Sequence, residues 1–304
     1  MKALERLVAE ELSTPVDPQV TALAAAIAAK HGDASRAVLF YGSCLRQKQL
    51  DGLMLDFYLI VSDYRAAYDK RWLALANRLI PPNVFYFEAA GLRAKYAVLS
   101  EADFAHECSP AAWTVSTAAR FAQPSRLAWS VNEQAREHVI HAVSGAAPAL
   151  LDWTIPVASD GSSPNDLWKR AFALTFGAEL RAERSARPNI IVDAQPERYE
   201  AIALSALAVI AGRHPGPDPT KIHLLMAPER MARWWRRKQL KGKAYSIVRL
   251  AKASATFAGG ADYIAWKINR HAGTDIRLKP WQRRWPLLAA ITLLPRLLKS
   301  GAVR

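Results

Sequence analysis

A glycine and a serine at the end of one predicted strand, followed by an aspartate on the next, could act together on a phosphate. The sequence reads Phe-Tyr-Gly-Ser at 40–43, and the following apolar run, 53–61, carries Asp56. Glycine lets the backbone approach a phosphate closely, and the Ser43 hydroxyl adds a hydrogen-bond donor. A carboxylate facing the same cleft can hold Mg²⁺ against triphosphate oxygens. Gly42, Ser43 and Asp56 therefore predict a site for nucleotidyl transfer.

The second acid that such sites usually carry is missing from its expected position. In the usual nucleotidyltransferase pattern two acids are separated by one residue, but Met54 stands two positions before Asp56. Glu88, which follows the apolar run 84–87, is a candidate for the second metal ligand, and it fits a solvent-facing turn equally well. Gly-Ser is also a common turn after a strand, so the spacing alone leaves a purely structural interpretation open.

Strand-like runs dominate the first half of the chain and helical patterns the second. Four strands are predicted at 37–41, 53–61, 84–87 and 94–99. Helix is predicted over 1–30, with a break at Pro15 and Pro18. Further helices are predicted at 64–79, 126–147, 165–186, 197–212, 227–240, 243–270 and 284–299.

A segment rich in Pro, Ser and Gly at 155–165 is the best candidate for a linker. We therefore predict an α/β nucleotidyltransferase-like domain over 1–155 and a mostly α-helical domain over 165–228. Basic amphipathic helices are expected over 229–304.

The positive charge of the chain is confined to its C-terminal segment. The formal net charge is +14, yet residues 1–228 hold 23 Lys and Arg against 24 Asp and Glu. Residues 229–304 hold 18 against 3, together with five of the ten Trp. The two cysteines cannot supply a disulfide framework, and no run of 18 apolar residues predicts a membrane-spanning helix. A nearly neutral body thus carries a cationic, Trp-rich segment that calls for an anionic partner.

Five short motifs follow one another between residues 41 and 181. They are Tyr-Gly-Ser-Cys-Leu at 41–45, Met-Leu-Asp-Phe at 54–57, Lys-Tyr-Ala-Val at 95–98, Ala-Ala-Arg with a later Pro at 118–124, and Phe-Gly-Ala-Glu-Leu-Arg at 176–181. In this order they resemble the mitochondrial translocator-maintenance phosphatidate cytidylyltransferases and their bacterial relatives. That family consists of peripheral, Mg²⁺-dependent CDP-diacylglycerol synthases with a nucleotidyltransferase domain, and its second strand carries a single acid.

The resemblance implies a transferase that converts CTP and phosphatidate, or a similar phospholipid, to CDP-diacylglycerol and pyrophosphate. It implies that Gly42 and Ser43 cradle the triphosphate and that Asp56 holds Mg²⁺. Four further charged positions acquire roles by the same resemblance: phosphate binding for Lys95 and Arg120, and a place in an interdomain cleft for Glu179 and Arg181. From the residues alone, each of these charges fits an ordinary strand or helix surface equally well.

The cationic segment combines basic and aromatic residues with a broken apolar stretch at 285–298. This composition is typical of proteins that bind a membrane surface, so we expect Trp234, Trp235 and Trp285 at an anionic bilayer. Arg249 and Lys252 lie three apart on one predicted helix face, which suits either a lipid headgroup or a solvated face. The sequence thus predicts a peripheral protein at the cytoplasmic face of an inner membrane.

Two other functions stay open at the level of sequence. Basic and aromatic residues also bind RNA, so an RNA-directed nucleotidyltransferase or an RNA-binding protein is the first alternative. The apolar C-terminal stretch argues against nucleic acid, because RNA offers no apolar surface that would bury it. A non-catalytic, membrane-associated relative of the transferases is the second alternative, favoured if Asp56 has no carboxylate neighbour in space.

Overall fold

A five-stranded mixed sheet forms the centre of the N-terminal half. The computed structural model describes residues 1–46, 50, 53–159, 161–179, 187–213, 227–256, 269, 277 and 279–284. The strands are β1 (Ser35–Tyr41), β2 (Met54–Val61), β3 (Asn83–Ala89), β4 (Leu92–Ser100) and β5 (Ser125–Ser130). Their order across the sheet is β3-β4-β2-β1-β5, and only the β2–β4 pair is parallel.

The strand register aligns one row of residues across four strands. Tyr41 of β1 pairs with Asp56 of β2, Asp56 pairs with Lys95 of β4, and Lys95 pairs with Tyr86 of β3. Because directly paired residues project from the same face of a sheet, this row places a carboxylate and an ammonium side by side.

Twelve α-helices surround the sheet or follow it in the described part of the chain. They are α1 (Lys2–Leu12), α2 (Pro18–Ala29), α3 (Tyr64–Ala67), α4 (Arg71–Leu79), α5 (Glu101–Glu107), α6 (Ser116–Phe121), α7 (Glu133–Thr154), α8 (Pro164–Phe176), α9 (Arg187–Asp193), α10 (Pro196–Arg213), α11 (Pro228–Thr256) and α12 (Pro280–Arg284).

Each face of the sheet has its own apolar core. Phe57 and Tyr96 belong to the core beneath α2, α3 and α4, on one face. Tyr58 and Phe104 belong to the larger core on the other face, which continues through α7 and α8 to Trp235 of α11. The four helices α8 to α11 therefore share one apolar core with the face of the sheet that carries Asp56 and Lys95.

The coarse expectation of an α/β part followed by a helical part is confirmed, with two corrections in the elements. The predicted helix over 126–147 was wrong at its start, because 125–130 pairs with β1 as β5, and the helix begins only after Asn132, whose side chain caps it. Strand pairing there overrides the local helical pattern. Likewise, α11 is continuous through Gly242 where two helices were predicted. No helix in the described residues is long and apolar enough to cross a membrane.

Candidate functional site

The turn after β1 comes into close contact with Asp56. Gly42 adopts a φ of +92°, in the left-handed region that favours glycine. A Cβ at this position would lie 3.1 Å from Asp56 Oδ2, so the turn also leaves little room for a side chain. Ser43 follows as an exposed residue at the start of a short 3-10 turn, Ser43–Arg46. The structure therefore brings together Gly42, Ser43 and Asp56.

Lys95 forms an ion pair with Asp56 across the parallel β2–β4 register. Its Nζ lies 2.9 Å from Asp56 Oδ1, and the two side chains are 25% and 19% exposed. An ammonium at this place offers a compact positive charge beside the Gly42 turn, which suits a phosphate oxygen. A nucleotide that enters the turn would meet Lys95 and the Asp56 carboxylate at once.

Arg120 provides a second positive charge on the same side of the sheet. Its Nη2 lies 3.5 Å from Glu179 Oε1, which joins α6 to the segment after α8, and its Nη1 donates to the Ser116 carbonyl at 3.1 Å. Burial acts to lower the pKa of Arg120, but Tyr58, Glu179, Tyr41 and Asp56 together raise it above its ordinary value. The guanidinium therefore stays charged at a place that Asp56 also influences.

Two tyrosines that the sequence analysis did not single out, Tyr41 and Tyr58, lie beside Asp56 and Arg120. The rings of Tyr41 and Tyr58 lie 5.3 Å apart and both contact Phe121. Burial raises the pKa of Tyr41, and the nearby Asp56 carboxylate raises it further, so this phenol stays neutral. Tyr58 could have been found from the period of two along a strand, because it stands two positions after Asp56 and on the same face.

The cysteine beside the turn is a packing residue. Cys44 is buried, its Sγ donates to the Met54 carbonyl at 3.5 Å, and burial followed by the Asp56 charge raises its pKa. A thiol that is held protonated is a poor nucleophile. Cys44 therefore supports the position of the turn and does not take part in covalent chemistry there.

The donor set at Asp56 fits a Mg²⁺ ion that is held mainly by a nucleotide. Protein sites commonly bind Mg²⁺ through one or two carboxylates together with substrate phosphates and water. Asp56 Oδ2 faces the Gly42 turn, whereas Oδ1 lies against Lys95. Among the described residues no group of three or more His, Cys, Asp or Glu is arranged to hold a metal ion by itself. Asp56 and phosphate oxygens would thus share the ion.

Glu88, the candidate second ligand, lies away from Asp56. It is on the edge strand β3, two strands from β2, where it lies opposite Arg93 of β4 in the strand register. Two strand spacings amount to roughly 10 Å. Its carboxylate instead accepts a hydrogen bond from the Tyr86 hydroxyl. The structure does not bring Glu88 to the carboxylate that it was expected to assist.

The two lipid-headgroup candidates on α11, Arg249 and Lys252, donate hydrogen bonds to backbone carbonyls. Arg249 donates to the Pro81 carbonyl from Nε at 2.8 Å and from Nη2 at 2.6 Å. Lys252 Nζ donates to the carbonyls of Ile80 and, at 2.9 Å, of Pro82. Burial and the charge of Arg249 lower the pKa of Lys252 to about 7, which makes it a weak partner for an anion. These side chains tie α11 to the segment before β3.

The tryptophans expected at a membrane are only partly where that role requires. Trp235 is 2% exposed and donates from Nε1 to the Trp153 carbonyl at 2.8 Å, so it is a core residue and cannot reach a bilayer. Trp234 is half-buried with its ring 5.5 Å from that of Trp153. Trp285 and the cleft candidate Arg181 lie outside the described residues.

Comparison with known proteins finds no matching family model and no significant match among curated proteins.

Proposed function

We propose that this protein is a Mg²⁺-dependent cytidylyltransferase that acts on phosphatidate or a similar phospholipid at a membrane surface. The observation that carries the proposal is the convergence of the Gly42 turn, the Asp56 carboxylate and the Lys95 ammonium on one face of the sheet. Arg120 adds a second cation on that face. Two cations beside a glycine turn can bind the phosphates of a nucleoside triphosphate, and Asp56 can bind the metal that accompanies them.

In the proposed reaction an oxygen of the lipid phosphate attacks the α-phosphorus of CTP. A new P–O bond forms as the bond to the β-phosphate oxygen breaks, and pyrophosphate leaves with the electron pair. The lipid phosphate is already ionised at neutral pH, so no general base is needed. When bound, Mg²⁺ supplies neutralisation of the triphosphate charge.

The residues of the chain would divide the remaining work between them. Ser43 and the Gly42 backbone would hold phosphate oxygens, and Lys95 would turn from Asp56 towards the phosphates when a nucleotide enters. The guanidinium of Arg120, fixed by Glu179 at 3.5 Å, would stabilise charge that develops during the transfer.

The mutation Asp56→Asn tests the proposal most directly. Removing the carboxylate charge should lower the turnover of labelled CTP and phosphatidate vesicles by about 100-fold or more, because it removes the protein ligand of the metal. Far-UV circular dichroism and the melting temperature should stay near those of the wild type. Asp33→Asn, the same change at an exposed carboxylate, is the matched control and should leave turnover unaltered.

A non-catalytic nucleotide-binding protein is the alternative that one observation favours. Glu88, the expected second carboxylate, lies on β3 two strands away from Asp56, and the described residues form no group of three or more His, Cys, Asp or Glu arranged to hold a metal ion. Measuring CTP binding by calorimetry beside turnover separates the two functions. Binding that depends on Lys95 and Arg120, with no lipid-linked cytidine product from the wild type at any Mg²⁺ concentration, would contradict the transferase proposal and support the alternative.

A further inference from the structure

The outer face of α4 is apolar where a surface helix is normally polar. Trp72, Leu75 and Leu79 are 49%, 58% and 66% exposed, and their spacing of three and four residues places them along one side of the helix. Three large apolar side chains in a row on the outside of a helix mark an interaction surface. We call these three residues the α4 patch.

The orientation of α4 is fixed by its inner face. The Asn77 side chain is fully buried, donates to the Val98 carbonyl of β4 at 2.9 Å, and accepts from the Asn83 backbone N–H. Ala74, one turn before it, is buried in the core on this face of the sheet. The α4 patch therefore cannot turn inward without breaking the hydrogen bonds that anchor the helix.

Basic side chains border the α4 patch. Lys70, Arg71 and Arg78 are all exposed, and none of them pairs with a carboxylate of the described residues. Asp69 is the one acidic residue between Tyr64 and Ile80. An apolar strip with Trp and Leu, bordered by Lys and Arg, is complementary to the headgroups and acyl chains of an anionic bilayer.

The C-terminal end of α4 is joined to the basic helix α11. Arg249 and Lys252 bind the carbonyls of Ile80, Pro81 and Pro82, directly after Leu79. Val248, beside Arg249, is 44% exposed. The hydrogen bonds thus hold the cationic helix at the border of the α4 patch, so that both can face one surface.

From these observations we propose that the α4 patch, Trp72, Leu75 and Leu79, inserts into the headgroup region of an anionic phospholipid bilayer. The inference rests on the proposed function in that a lipid substrate requires the protein to reach a membrane. It assigns the apolar contact with the bilayer to α4, whereas Trp235 is buried in the core and Trp234 is half-buried against Trp153.

Vesicle flotation with the full-length protein tests the proposal. Replacement of the patch, Trp72→Ser with Leu75→Ser and Leu79→Ser, should weaken partition to vesicles of phosphatidylcholine and phosphatidylglycerol by about tenfold or more. The matched control is Ile190→Ser with Leu204→Ser, because these side chains are 63% and 56% exposed on other helices. The control should bind as the wild type does. Equal binding by the patch variant and the wild type would overturn the proposal.

A fluorescent label shows directly what covers the patch. Both native cysteines are buried, so an environment-sensitive dye on Leu75→Cys would report chiefly on α4. Its emission should shift to shorter wavelength with anionic vesicles and stay unchanged with pure phosphatidylcholine. A dye that is already shielded without lipid, or a patch variant that abolishes a dimer in sedimentation, would show that protein covers the patch and would overturn the proposal.

The proposal for the membrane-binding surface and the proposal for the enzyme activity can be contradicted independently of each other. Asp56→Asn should bind vesicles as the wild type does, since Asp56 lies on the opposite face of the sheet from α4. If the wild type yields no cytidylyl lipid but still depends on the α4 patch for binding, the proposed function is wrong and the surface stands. If the wild type forms product while the patch variant binds vesicles normally, the α4 patch proposal is wrong and the proposed function stands.

Discussion

At the scale of single residues, the site depends on a glycine that serves two purposes. Gly42 has a positive φ, and it also lies so close to Asp56 that a Cβ would come within 3.1 Å of the carboxylate. Gly91 shares the first property, with a φ of +76°, but has no atom within 4 Å of where a Cβ would stand. Comparing the same substitution at Gly42 and Gly91 therefore separates the effect of backbone strain from the effect of crowding at Asp56.

We expect Gly42→Ala and Gly91→Ala to lower stability by a similar amount, about 1 kcal/mol, because both force alanine into a left-handed backbone. Only Gly42→Ala should also lose CTP binding and turnover, since its methyl group displaces the Asp56 carboxylate. Chemical denaturation and calorimetric titration with CTP measure the two effects. Equal CTP affinity in the two variants would show that the close approach to Asp56 has no functional part.

Lys95 and Arg120 illustrate how neighbouring charges define the site. Each is a basic residue beside a carboxylate, Asp56 for Lys95 and Glu179 for Arg120, and each pair is largely shielded from solvent. Each carboxylate holds its cation in place before any phosphate arrives. In the proposed function, Lys95 and Arg120 would bind the phosphates and Asp56 would be the protein ligand of the metal.

At the scale of elements, α11 is a structural brace as well as a source of positive charge. Arg249 and Lys252 donate hydrogen bonds to the carbonyls of residues 80–82, and Lys238 donates to the carbonyls of Ala112 and Trp113. The basic residues of α11 are therefore of two kinds, those that hold α11 to the body and those that face outward, such as Arg237.

Arg249→Leu should loosen the contact between α11 and the segment before β3. Its guanidinium makes two hydrogen bonds to one carbonyl, and loss of such charged hydrogen bonds costs about 2 kcal/mol. Hydrogen exchange should increase in residues 80–84 and in the last turns of α11. Arg237→Leu, on the exposed side of the same helix, should leave exchange unchanged, and the same increase in both variants would contradict this role for Arg249.

At the scale of the whole molecule, Trp235 joins α11 to the rest of the protein. Its ring is buried in the larger core, and its Nε1 donates to the end of α7. This contact explains how a helix with so much charge is still part of the fold: Met231 and Trp235, near its start, are buried in the same core as residues of α7 and α8.

Trp235→Ala should lower the free energy of unfolding by about 3–5 kcal/mol, the usual cost of emptying a buried aromatic position. Trp72→Ala removes the same kind of side chain from the exposed α4 patch and should cost under about 1 kcal/mol. Urea denaturation followed by far-UV circular dichroism measures both. A small effect of Trp235→Ala would mean that α11 adds little to the stability of the body.

The sequence by itself determined the features that depend on neighbouring residues. The apolar runs, the Gly-Ser turn after β1, and the breaks at Pro and Gly specify four of the five strands and put Asp56 on the strand that follows the turn. Short-range sterics and alternation are local, so they can be read without the rest of the chain. The resemblance to cytidylyltransferases rests on motifs of this local kind and remains a prediction.

Only the tertiary structure decided which distant residues meet. The position of β4 between β2 and β3 brings Lys95 to Asp56 and keeps Glu88 on the edge strand. Packing of α11 on α7 buries Trp235, and the docking of α4 leaves Trp72 outside. These outcomes depend on strand order and helix packing between segments far apart in sequence. Composition shows that such charges and rings exist, whereas the fold assigns each one to a site, a core or a surface.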